Sequence, residues 1–176
     1  KLSDEELHSL TIFATNVNQD DDSSPKIKSL RGIEKLKYLE EVAVYSNSIR
    51  GELDVSDLSA LTRLECGGNK ITSIVLPEES KLKVLECSWD PITFLDLKGQ
   101  TELEQLGCPM SSLKTLDLTN QTKLKLLNVG NSALTSLILP DHELIDGKEC
   151  TEITAYLTQN YVDFKEATVF PGFDLE

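Results

Sequence analysis

Four cysteines, two histidines and a surplus of carboxylates are the residues of this 176-residue chain that could do chemistry. C-x-x-C pairs would point to zinc or thiol–disulfide exchange, but the cysteines are widely and regularly spaced. Cys66, Cys87 and Cys108 fall at equal intervals, and Cys150 follows at double that interval. His8 and His142 lie towards opposite ends of the chain, so a nucleophile–histidine–acid set or a metal site would need those ends to meet. G-x-x-x-x-G-K, G-x-S-x-G and H-E-x-x-H are all absent from the sequence. Oxygen ligands alternate at Asn16, Asn18, Asp20 and Asp22, as at the start of a calcium loop. That loop would need Gly at its sixth position and a bidentate Glu at its twelfth, where Ile27 stands. The expectation is a solvated acidic loop, with no metal, no cofactor and no catalytic residues.

Thirty Asp and Glu against seventeen Lys and Arg leave a net charge of −13. Such a surface repels phosphate backbones and anionic headgroups, which argues against nucleic acid and membrane surfaces as partners. No apolar run approaches the roughly 18 residues of a membrane span. The 39% of hydrophobic residues is enough for a core. Composition therefore points to an ordered, acidic, monomeric domain. Starting at Lys1 rather than Met, the chain reads as a processed or trimmed one, with any export signal upstream.

The cysteine spacing is the key to the elements that position everything else. Aligned on Cys66, one unit reads Leu61-x-x-Leu64-x-Cys66-x-x-Asn69-x-Ile71-x-x-Ile74-x-Leu76. The same pattern returns with Leu82, Leu85, Cys87, Asp90, Ile92, Leu95 and Leu97, then from Leu103 through Cys108 to Leu118, then from Leu124 through Val129 to Leu139. An earlier unit, Leu39-x-x-Val42-x-Val44-x-x-Asn47-x-Ile49, fits once an extra residue is allowed in each of two later gaps. This is the leucine-rich-repeat pattern, L-x-x-L-x-L-x-x-N/C-x-L. Period-two doublets separated by turns such as Gly67-Gly68-Asn69 exclude a helical bundle and predict two short strands per coil. The fold class is thus an α/β-type solenoid dominated by short parallel β-strands, a right-handed superhelix of about five coils. With strands on both sides it should curve little. Leucines and cysteines fill its core in ladders, and Asn47, Asn69, Asp90, Ser111 and Ser132 bond backbone amides in the turn. The drift from Asn to Ser predicts a ladder that weakens towards the C-terminus.

Three parts are expected: an N-terminal cap over 1–35, repeats over 36–144, and a C-terminal cap over 145–176. Ser3-Asp4-Glu5-Glu6 has the form of a capping box and predicts a short first helix. At the other end two readings compete. Ile153, Tyr156, Leu157, Tyr161 and Phe164 recur at roughly helical spacing, while Cys150 falls in phase with a sixth coil.

The segment Ile27-Lys-Ser-Leu30-Arg-Gly32-Ile33-Glu-Lys-Leu36-Lys-Tyr-Leu39 resembles the connecting pattern of internalin-type bacterial repeats. The repeat units with Cys at the inner strand position resemble the cysteine-ladder branch of that group. The likeness covers about residues 27 to 140. It implies export, an extracellular or cell-surface location with room for a lipid anchor upstream of Lys1, and binding of proteins or glycans without catalysis. The small number of repeats and Val129 in place of Cys depart from the pattern and argue against a large ligand-wrapping horseshoe.

Cys66, Cys87 and Cys108 are read as buried thiols of a structural ladder, because parallel rungs about 4.8 Å apart are wide for a disulfide. On the outward strand face, Glu65 and Glu86 share one row, and Tyr45 and Pro109 the next. Trp89 and Met110, the chain's one Trp and one Met, follow just beyond. We expect these six to form a binding patch for a protein or glycan, with the carboxylates as its rim. The competing expectation is an architectural spacer in which Trp89 folds back over the ladder edge.

Overall fold

The structure, a computed structural model, describes residues 9–15, 25–140 and the backbone of 154–156. The helix expected at Ser3 to Glu6, the candidate calcium ligands Asn16, Asn18, Asp20 and Asp22, both histidines and Cys150 lie outside the described residues.

One parallel sheet runs the length of the solenoid. Its strands, in spatial order, are β1 (Ile12–Ala14), β2 (Glu41–Ala43), β4 (Arg63–Glu65), β6 (Val84–Glu86), β7 (Gln105–Gly107), β9 (Leu126–Asn128) and β11 (Thr154–Tyr156). On the second side, β3 (Arg50–Asp54) pairs with β5 (Lys70–Val75), and β8 (Thr115–Asp117) with β10 (Ser136–Ile138), both parallel. Side chains alternate across each strand, so the middle residue of each short strand enters the core. Val42, Leu64, Leu85, Leu106 and Leu127 stack there with no solvent exposure. Each coil is too small to bury its own apolar face, so stacking supplies the core.

The step from Glu41 to its partner Arg63 is one position longer than the step from Arg63 to Val84. The first coil therefore carries a single extra residue, in one gap and not in both. The pairing of β3 with β5 also shifts register between Gly51 and Glu52, passing over Thr72 of β5, and Gly51 takes there a φ of +75° that a glycine adopts without strain.

Four expectations need correction. The N-terminal cap adds a strand, β1, whose Phe13 pairs with Val42. At the C-terminus, Thr154–Tyr156 is strand, so the helix through Tyr156 is overturned there. The sixth coil is not in phase with Cys150 either, because Ala155 pairs with Leu127 across a step one-third longer than the repeat. Lastly, the second side is not strand throughout: the coil containing Leu95 and Leu97 forms none between Pro91 and Leu97.

The turn column changes its chemistry next to that coil. The Asn69 side chain accepts from the Ile49 amide at 3.1 Å and donates to the carbonyls of Val44 and Cys66 at 2.9 and 2.7 Å. Asn47 accepts from the Ile27 amide at 2.8 Å, and Asp90 from the Ile71 amide at 2.9 Å. Each residue thus ties its own turn to the coil before it. Ser111 carries a hydroxyl on its Cβ where Asn carries a carboxamide, and so falls one bond short of this reach. Its hydroxyl lies 2.8 Å from that of Ser132, which donates to Cys108 at 3.2 Å. The Ile92 amide turns instead to the carbonyl of Asp90, at 2.7 Å. The Ser112 amide still ties this turn to the coil before it, donating to the Ile92 carbonyl at 2.9 Å.

Asp90 is the strained member. It is 1% exposed, and its Oδ2 has no hydrogen-bond partner. Where Asn69 places an N–H among carbonyls, Asp90 places an oxygen. Burial raises its carboxyl from 3.8 to about 6, against the opposing amides of Ile71 and Asn69. The carboxylic acid, with an O–H to donate, fits the column better than the carboxylate.

Cys66, Cys87 and Cys108 are free and fully buried, with Val44 and Val129 ending their column. Burial pushes the Cys66 thiol well up. Cys87 moves the same way, through its bond with Cys108 and then burial. Two glutamines the pattern did not single out, Gln100 and Gln121, are buried in the turns that follow the second side. Their amides donate to Pro77 at 2.9 Å and Leu97 at 2.7 Å.

A carboxyl raised on folding stabilises the fold fully below its unfolded value and loses that contribution as pH climbs through about 6. Asp90→Asn should therefore stabilise the protein by roughly 2–3 kcal/mol near pH 7.5 and by little near pH 4, as read from urea melts at the two pH values. The thiols should react with a maleimide only after unfolding, and Cys87→Ser should cost roughly 1–3 kcal/mol by burying a hydroxyl without a prepared partner.

Candidate functional site

The turn that leaves each of β2, β4, β6, β7 and β9 places one residue on left-handed backbone. These are Ser46 (φ 52°), Gly68 (70°), Trp89 (61°), Met110 (58°) and Asn131 (54°). The repeat imposes this geometry. Each of the first four donates its amide to a carbonyl of the next coil, Trp89 to Pro109 and Met110 to Gly130, both at 3.0 Å. Gly and Asn suit such a φ, whereas a large side chain costs about 1–2 kcal/mol there. The Cβ at this position leads away from the core. Trp89 is accordingly 65% exposed and Met110 42%.

The outward row of the sheet adjoins this turn. Ala43, Glu65, Glu86, Gly107 and Asn128 are paired in register along it. Glu65 is held by Arg63, whose Nη1 lies 2.7 Å from Oε1. It also accepts a hydrogen bond from the Tyr45 phenol. Burial, that bond and the adjacent carboxylates hold the phenol protonated far above its usual range. Glu86 extends over β7, where a Cβ on Gly107 would collide with its carboxylate. Burial and then the neighbouring Glu65 raise the Glu86 carboxyl, with Arg63 opposing. Pro109 is half-buried between Cys108 and Met110.

Sequence spacing put six residues on one face, and the fold brings them to one side of the sheet in two clusters. Tyr45, Glu65 and Arg63 form a bonded group on the first two coils, and Trp89, Pro109 and Met110 form the turn edge of the next two. Glu86 lies between them along the row. Arg63 and Gly107 were not anticipated. Their signal lay in the same column count, as the cation beside Glu65 and the one glycine in the carboxylate row.

A second exposed aromatic was also missed. Phe94, in the coil without a strand, is 61% exposed. It borders a hollow of about 650 Å³ shared with Val75, Pro77 and Glu78, and another of about 460 Å³ shared with Lys98 and Asn120. Its column otherwise holds Glu52, Ser73, Thr115 and Ser136, so a single aromatic in a polar row marked it. Among the described residues no cluster of His, Cys, Asp and Glu could hold a metal, and no helix is long and apolar enough to cross a membrane.

No family model matches the chain, and no curated protein sequence matches it. Solved structures do. An internalin (inlF) from Listeria monocytogenes str. 4b F2365 superposes with a TM-score of 0.52 at 21% identity, over 85% of this chain and 51% of that one. Internalin C2 (inlC2) from the same strain gives 0.54 at 17% identity, over 99% and 84%. The chain thus spans about half the length of the first and most of the second. At these identities the likeness concerns architecture: this chain has the leucine-rich-repeat solenoid fold of the internalins.

Proposed function

We propose that this chain is a non-catalytic binding module of a bacterial surface or secreted protein, recognising a protein or glycan through the strand-face turn. One observation carries the reading: the only Trp and the only Met of the chain are exposed on left-handed backbone that disfavours them. At the same column position, neighbouring coils carry Gly68 and Asn131, which fit without that cost. Folding therefore gains little from an indole and a thioether here, and adjacent exposed apolar groups of this kind mark contact surfaces. A spacer would be served better by glycine. Surface or secreted placement, and the absence of catalysis, come from the resemblance to internalin repeats. The net charge of −13 argues against nucleic acid and anionic lipid as partners.

Trp89→Gly should leave stability unchanged or raise it by about 1 kcal/mol, because the strain of the left-handed φ is relieved. A Trp89 packed over the ladder edge would instead make this variant melt early, by several kcal/mol of lost burial. In the unmodified protein, Trp89 fluorescence should be water-like and freely quenched by acrylamide. For binding, the chain and its Trp89→Gly/Met110→Gly variant should be compared on a glycan array and a panel of host extracellular proteins. A ligand held by the former and lost by the latter supports the reading. Equal binding by both overturns the assignment to this turn.

A further inference from the structure

The carboxylates beside the turn define what kind of group the partner presents. Glu65 and Glu86 are register partners on adjacent strands, where side chains stand about 4.8 Å apart. Two like charges at that spacing repel unless cations intervene. Arg63 is engaged with Glu65, and Tyr45 donates to Glu65 as well. Glu86 receives neither. Among the described residues no ion pair and no hydrogen bond reaches its carboxylate.

The position of Glu86 is built rather than incidental. Gly107 leaves the space over β7 open, and the Glu86 carboxylate fills the place a Cβ would take. It is thereby carried towards the coil of Pro109 and Met110, while Trp89 follows in the turn of its own coil. The result is a half-buried carboxylate without an ion pair or hydrogen bond, on the strands that lead into the turns of an exposed indole and thioether, on a chain of net charge −13. An indole face and a carboxylate together suit a guanidinium or ammonium group, which can stack on one and pair with the other. A neutral sugar would leave Glu86 uncompensated, and an anionic one would be repelled.

We propose that the partner is a protein segment placing a Lys or Arg side chain over Glu86, with apolar neighbours against Trp89 and Met110. This rests on the strand-face reading above and narrows it to one ligand chemistry. The acidic surface steers such a segment in, so association should slow as salt is raised.

Trp89 is the only tryptophan, so its indole N–H gives a single, self-assigned NMR signal. The full chain is titrated with acetyl-Leu-Arg-Leu-amide and with the same peptide carrying citrulline, which keeps the shape and removes the charge. The arginine peptide should move the Trp89 signal saturably and bind about fivefold more tightly than the citrulline peptide. In Glu86→Gln that preference should vanish, while Glu102→Gln, in a solvated pair with Lys123, should retain it. Equal binding of the two peptides overturns the cation proposal and leaves the apolar patch standing. A preference that survives Glu86→Gln overturns it too, by moving the charge elsewhere. If neither peptide moves the indole, the cation proposal and the patch fall together.

Discussion

The hydrogen bond from one turn side chain back to an amide of the preceding coil is the constraint on which the rest of this solenoid depends. A parallel sheet of very short strands gives each coil few backbone bonds, and the turn that follows would leave amides and carbonyls orphaned in a buried place. Asn69 closes that gap by itself, accepting from Ile49 and donating to Val44 and Cys66. With the column in place, the turn has one shape in every coil. The residue before the column takes positive φ in each of these coils, before Ser111 and Ser132 as before Asn47, Asn69 and Asp90. The exposure of Trp89 and Met110 is thus a consequence of the shape that the repeat gives this turn.

Where the column changes chemistry, the structure changes with it. Asp90 keeps the acceptor and loses the donor, and its Oδ2 is left without a partner in a site that is 1% exposed. Ser111 and Ser132 lose the reach as well; the coil before Ser132 keeps β8, while the coil before Ser111 has no strand on its second side. Phe94 stands exposed in that coil, with hollows either side. A solenoid is stable through neighbour contacts, so a weak link is felt locally and does not dissolve the array. The leucine, isoleucine and cysteine columns run through the interruption unbroken.

The period and the core were legible in the residues because stacking forces one residue type into each column. Six apolar positions repeated four times leave no other register. The weakening of the turn column was visible as well, in the change from Asn to Ser. The ends were not. β1 and β11 are short strands in stretches that do not repeat. The phase of Cys150 misled, since the last step, from Leu127 to Ala155, overruns the repeat by a third. Left-handed backbone at Trp89 and Met110 was hidden for a different reason. Propensity would never place them there, and only the register with Gly68 and Asn131 reveals it. Of the surface, spacing gave the face on which Tyr45, Glu65, Glu86 and Trp89 lie. It could not give the bonds that tie Glu65 to Arg63 and Tyr45 and leave Glu86 open.

Native-state hydrogen exchange at the amides of Ile27 and Ile49 tests the central claim most directly. Both lie outside strands, and the bonds that satisfy them come from the side chains of Asn47 and Asn69. If the turn column holds the coils together, these two amides exchange only with global unfolding, as slowly as the Leu64 and Leu85 amides in the sheet. Exchange at the rate of an exposed loop, with the sheet still protected, would contradict the account.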